Sequence, residues 1–141
     1  MTPYAMCTPT REELKIFLSI RKVIKSMPDI DLDGKLLSCH MMARATASHF
    51  PVRFTTGYFK GPGWAHSWCV TKENNIIDPY PWASLGGPLF IVTKDLSPWR
   101  QLYREVKQRR YRDYLTGDIF LGCAEKVTKV MGDTIQALAL K

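Results

Sequence analysis

The sequence predicts an α+β domain in which a helix carrying a candidate nucleophile packs on a small antiparallel sheet, with extra helices at both ends. Three observations predict it. Apolar residues recur at helical spacing up to Pro51; from Val52 to Tyr80 the period drops to two; after Ser97 the helical spacing returns.

Taken in order, Thr10-Arg11-Glu12-Glu13 is a capping box, and Leu14, Phe17, Leu18 and Ile24 follow as one stripe of a helix ended by Pro28. A second helix is expected from about Leu37 to His49, favoured by Ala43, Ala45 and Ala47 and stopped by Pro51. Val52–Phe59, Trp64–Thr71 and Ile76–Tyr80 read as three strands, separated by Gly61-Pro62-Gly63 and by the polar turn Lys72–Asn75. Gly86-Gly87-Pro88 precedes a short strand, Leu89–Thr93. Ser97-Pro98 is a cap and first-turn pair for a helix to about Leu115. Gly117 separates it from a last helix striped by Ile119, Phe120, Cys123, Val127, Val130 or Met131, Ile135 and Leu138. No repeat divides the 141 residues, so one domain is expected, its core at about 35–93 and its C-terminal helices at about 98–140.

A charged fraction of 23% beside 45% hydrophobic residues is globular composition and argues against disorder. The N-terminal stretch lacks a basic region followed by an apolar run, and no segment has the roughly 20 apolar residues of a membrane span. A soluble, cytoplasmic protein with no membrane partner is the expectation. Four cysteines in such a chain are expected as reduced thiols: Cys7, Cys39, Cys69 and Cys123.

Cys39 is the best placed of the four to react. It sits near a helix start, where unpaired amides and the macrodipole favour a thiolate. Cys69 falls mid-strand, Cys123 on an apolar helix face, and Cys7 near the chain end. Of the histidines, His40 should not face the thiol, since adjacent residues of a helix point about 100° apart. His49 at the helix C-terminus fits a solvated role. His66 lies on a strand between Trp64 and Trp68, all three on one face. Asp78 follows on the next strand; the 11 residues between it and His66 are an odd number, which puts both side chains on the same face of a hairpin. The turn is then centred near Lys72, or near Glu73 with a diagonal contact. His66-x-x-Cys69 has zinc half-site spacing, but on a strand the two side chains point apart and no second pair exists, so no metal or other cofactor is expected.

Cys39-x-x-x-Ala43, Pro51-Val52-Arg53-x-x-x-Gly57-Tyr58, His66-Ser67-Trp68 and Ile77-Asp78-Pro79 together resemble the transglutaminase-like superfamily of papain-like cysteine enzymes. The resemblance covers about residues 35–82. It implies Cys39 as nucleophile, His66 as base and Asp78 as the residue that orients the base, working through an acyl-enzyme on a peptide or protein amide. Proteolysis, deamidation and acyl transfer all occur in such enzymes. The chain departs from the pattern at Leu37, where a glycine is usual, and in having no glutamine before Gln101 to polarise the acyl oxygen. The Cys39 amide is one candidate donor there. Tyr58, Trp64 and Trp68 are candidate substrate-binding residues, equally suited to the core.

Two alternatives stand beside this. One is a non-catalytic scaffold of the same fold. The other is a binding module for nucleic acid or an acidic partner. Much of the net charge of +7 lies in residues 98–115, where six basic residues face two acidic ones among Trp99, Tyr103, Tyr111 and Tyr114. A solvated helix face explains that segment as well, and nucleic acid is not expected as a partner.

Overall fold

Thr10 opens the first helix through the anticipated capping box. In the computed structural model, which describes residues 9–32, 37–60, 65–79, 90–92, 97–106 and 118–139, helix α1 spans Arg11–Ser26. The Thr10 hydroxyl accepts from the Glu13 amide at 3.1 Å, and Glu13 accepts from the Thr10 amide at 2.9 Å. Glu13 does more than cap. Only 1% exposed, it accepts from Thr71 Oγ1 at 2.5 Å and from Asn75 Nδ2 at 2.9 Å, which ties α1 to a sheet turn 58 residues away. This inward pull sets the helix rotation. Phe17, Ile20 and Val23 are buried, whereas Leu14 and Leu18, expected in the stripe, are 43% and 51% exposed.

Burial disfavours the Glu13 carboxylate, but its hydrogen bonds from Thr71, Thr10 and Asn75 outweigh that and lower its pKa. Its contribution to stability is therefore present above the unfolded carboxylate pKa and is lost as pH falls through the lowered value. Glu13→Ala strands Thr71 and Asn75 and should cost about 3 kcal/mol. Urea unfolding at pH 7 measures this, and Glu13→Gln should lose less.

Helix α2 spans Cys39–His49. Ser38 is its N-cap, accepting from the Met41 amide at 3.3 Å, so the helix starts two residues later than Leu37. Strands β1 (Arg53–Phe59), β2 (Ala65–Val70), β3 (Ile76–Asp78), β4 (Phe90–Val92) and β5 (Tyr103–Glu105) form one antiparallel sheet in the order β4-β3-β2-β1-β5. A short helix α3 (Ser97–Arg100) precedes β5, and α4 (Asp118–Ala139) ends the described chain.

β5 corrects the expected 98–115 helix. That segment is helical for only four residues before Tyr103–Glu105 pairs with the outer edge of β1, a long-range partner that local periodicity does not reveal. Gly57 permits the approach: a Cβ there would meet the Arg104 carbonyl oxygen at 2.0 Å and the Trp68 ring at 2.8 Å. The continuous basic helix face that motivated a binding module is thus broken by Arg104; residues 107–117 lie outside those described.

Val23, Met41, Met42, Ala45, Ala124, Val127 and Met131 form the main core, joining α1, α2 and α4. Met131, rather than Val130, is the buried residue of its turn. His49 is exposed, as expected of a solvated residue, yet its Nε2 donates to the Thr128 carbonyl of α4 at 2.8 Å. Among the described residues no helix is long and apolar enough to cross a membrane.

Candidate active site

The β2–β3 hairpin brings His66 and Asp78 together by register alone. Cys69 faces Ile77 and Val70 faces Ile76, which centres the turn on Glu73, the diagonal of the two anticipated arrangements. Asn74 closes that turn at a positive φ of 66°. Asp78 therefore stands opposite Trp68 and reaches His66 across the diagonal. His66 Nε2 donates to Asp78 Oδ2 at 2.7 Å, with both side chains fully buried.

Around this pair lies an aromatic wall. Trp68 stacks on the His66 ring at 5.9 Å between centroids and 29° between planes, and Phe59 packs at 5.8 Å. Tyr103 meets Trp68 edge-on at 5.2 Å and donates its hydroxyl to Asp78 Oδ2 at 2.8 Å. Asp78 thus accepts from two donors on one oxygen, and the imidazole is held in place by its hydrogen bond and by its ring contacts.

α2 runs alongside β2 in the same direction. The Cys39 thiol interacts electrostatically with His40 and with His66 near the start of the strand, His40 Nδ1 lies 2.5 Å from Ser67 Oγ, and Cys69 Sγ donates to the Ala43 carbonyl at 3.4 Å. Nε2 of His66 is engaged by Asp78, so Nδ1 is the ring nitrogen left to act on the thiol. Ser38, the cap, fixes Cys39 as the first residue of the helix, where first-turn amides have no intrahelical acceptor.

The electrostatics follow. Burial opposes ionisation of Cys39, but hydrogen bonds from His40 and His66 and their charges prevail, lowering its pKa to about 6. Burial likewise disfavours charge on His66. The hydrogen bonds with Asp78 and Cys39, and the negative charges of both, raise its pKa to about 9. Between those values the pair is a thiolate beside an imidazolium, titrating as one coupled unit. By contrast, burial first and the Asp78 charge second push the Cys69 thiol up, which leaves it inert. Cys39, Cys69 and Cys123 are all free thiols.

Cys39, His66 and Asp78, chosen from the sequence, are thus brought together. Trp68 is 2% exposed and packs against the imidazole, Tyr58 is half-buried on β1, and Trp64 lies outside the described residues. His66 and Cys69 point to different partners, as their strand spacing requires, and no group of three or more ligating side chains gathers among the described residues. Three residues were missed. Tyr103 was hidden in a helical pattern, Ser67 carried no signal beyond its place in His66-Ser67-Trp68, and His40 was set aside on helical angle. His40 is nonetheless part of the site: it is the second residue of α2, its Nδ1 meets Ser67 on the neighbouring strand, and its ring interacts electrostatically with Cys39. Compared with protein-family models, with curated proteins and with solved structures, the chain finds no match.

Proposed function

We propose that this chain is a thiol-dependent amide-bond enzyme of the transglutaminase-like, papain-like kind, with Cys39 as nucleophile, His66 as acid and base, and Asp78 as the residue that orients His66. The observation that carries this is the buried His66–Asp78 hydrogen bond at 2.7 Å, joined to Cys39 at the start of α2.

The chemistry follows from these groups. The Cys39 thiolate attacks the amide carbon, forming a C–S bond while the carbonyl π pair moves onto oxygen. As the oxygen's charge collapses back, the C–N bond breaks and His66 Nδ1 gives its proton to the leaving amine. The thioester is then attacked by water or by an amine, with neutral Nδ1 taking the incoming proton; as that second oxyanion collapses the C–S bond breaks, and the Cys39 thiolate leaves beside the imidazolium. Asp78 holds the imidazole with its Nε2–H toward the carboxylate, which reserves Nδ1 for the proton transfers. Water as acceptor gives cleavage or deamidation; an amine as acceptor gives transfer.

The electrostatic interaction of Cys39 with His66, beside the buried His66–Asp78 hydrogen bond, supports this over a non-catalytic scaffold, whose thiol and imidazole need not meet. Incubation with glutamine peptides and other amides, with and without a primary amine, tests it by mass. Loss of ammonia, gain of amine or chain cleavage that disappears in Cys39→Ala is the expected result. No mass change across the set, or change that survives Cys39→Ala, would count against the proposal.

A further inference from the structure

His40 sits half-buried beside the nucleophile, and the mechanism above gives it no role. Its Nδ1 is held 2.5 Å from the hydroxyl of Ser67, a residue with no exposed surface. It follows Cys39 directly at the start of α2, and its ring interacts electrostatically with the thiol, which puts it near whatever is attached to that sulfur.

Acyl transfer creates a need in that place. When the C–S bond forms, the former carbonyl oxygen carries a negative charge two bonds from Sγ, and donors aimed at it contribute most of the stabilisation such sites supply. The Cys39 amide, at the first position of α2, is one such donor. No glutamine precedes Gln101 to be a second.

We propose that His40, clamped by Ser67, is the side-chain donor to the acyl oxyanion. The clamp fixes which nitrogen is available. If the Ser67 hydroxyl donates to Nδ1, the neutral ring carries its proton on Nε2; if the ring is an imidazolium, Nδ1 donates to Ser67 and Nε2 still carries a proton. Both of these states present Nε2–H to the oxyanion, whereas a neutral ring donating from Nδ1 to Ser67 does not, so the donor role requires one of the first two. During attack the donor turns from the charge on sulfur to the charge on oxygen, with no proton transferred. The bond strengthens as charge leaves the thiolate and develops on oxygen, so the donor acts on the transition state rather than on the resting enzyme.

The inference rests on Cys39 forming an acyl-enzyme, and the test separates the two. Acetylation of Cys39 by p-nitrophenyl acetate passes through an oxyanion and has a leaving group that needs no proton; alkylation by iodoacetamide needs the same thiolate but forms no oxyanion. The ratio of the two rate constants cancels any change in thiolate content. In His40→Phe that ratio should fall about 100-fold. His40→Gln, which keeps a donor, should recover part of it, and Ser67→Ala should lie between. Thermal unfolding establishes which variants are folded. An unchanged ratio in folded His40→Phe, or in Ser67→Ala where His40→Phe does not fold, overturns the proposal and leaves His40 a partner of the resting thiolate. Wild-type acetylation no faster than that of free cysteine, or undiminished in Cys39→Ala, overturns the acyl-enzyme reading itself.

Discussion

Asp78→Asn should lower the rate of Cys39 acylation by about 10,000-fold while leaving the fold in place. Asp78 is fully buried and its Oδ2 accepts from His66 Nε2 and from Tyr103 Oη, at 2.7 and 2.8 Å. Asparagine fills the same volume but replaces one oxygen with a donor and removes the charge. If its amide nitrogen faces His66, Nε2 must become the acceptor and the proton moves to Nδ1, the nitrogen that has to accept from the thiol. If its oxygen faces His66, the geometry survives, but the charge that keeps the imidazolium favourable is gone. Both outcomes suppress the reactive pair. Stopped-flow acylation with an activated ester measures the loss, and near-UV circular dichroism reports whether the aromatic wall is intact. Tyr103→Phe removes one of the two donors without touching His66 and should have a much smaller effect.

His66→Ala should cost about 1,000-fold or more in amide turnover, for two separable reasons. The thiolate loses one of the two histidines that stabilise it, so the Cys39 pKa rises from about 6 toward the ordinary thiol value and the ionised fraction at pH 7 drops, with His40 retaining part of the effect. The leaving amine also loses its proton donor, and general acid catalysis is commonly worth about 100- to 10,000-fold. The turnover profile of the wild type should be bell-shaped. Its acid limb lies near 6, where the thiolate is protonated, and its alkaline limb near 9, where His66 loses the proton that the leaving group requires. In His66→Ala the bell is lost.

Much of this was legible from local pattern. The capping box at Thr10, the end of α2 before Pro51 and the strands around Gly57 and Trp68 depend on near neighbours, and near neighbours are what a sequence displays. The pairing of His66 with Asp78 was legible for a different reason. A hairpin conserves parity, so an odd count of intervening residues puts the two on one face whichever residue centres the turn. Choosing between Lys72 and Glu73 as that centre needed the positive φ of Asn74, which the sequence did not signal strongly enough.

What escaped was decided over long range. Glu13 was visible as a cap, but its burial depends on Thr71 and Asn75, and that burial turned Leu14 and Leu18 outward. Tyr103–Glu105 became a strand because Gly57 leaves the edge of β1 open to it; no feature within 98–115 distinguishes it from a helix. His40 was lost to a sound rule applied at the wrong place. A 100° separation divides neighbours in the middle of a helix, but at its first two residues the strand alongside meets both, and His66 and Ser67 take one each. The residues that tune a reactive group are thus less legible than the group itself.

The central claim is that Cys39 and His66 share a proton at rest. The pH dependence of Cys39 alkylation by iodoacetamide, followed by peptide mass mapping in the wild type and in His66→Ala, tests it most directly. The account predicts a wild-type inflection near 6 that moves up toward the ordinary thiol range when His66 is removed, His40 retaining part of the lowering. A wild-type inflection already in that range, or one near 6 that persists in His66→Ala, would contradict it.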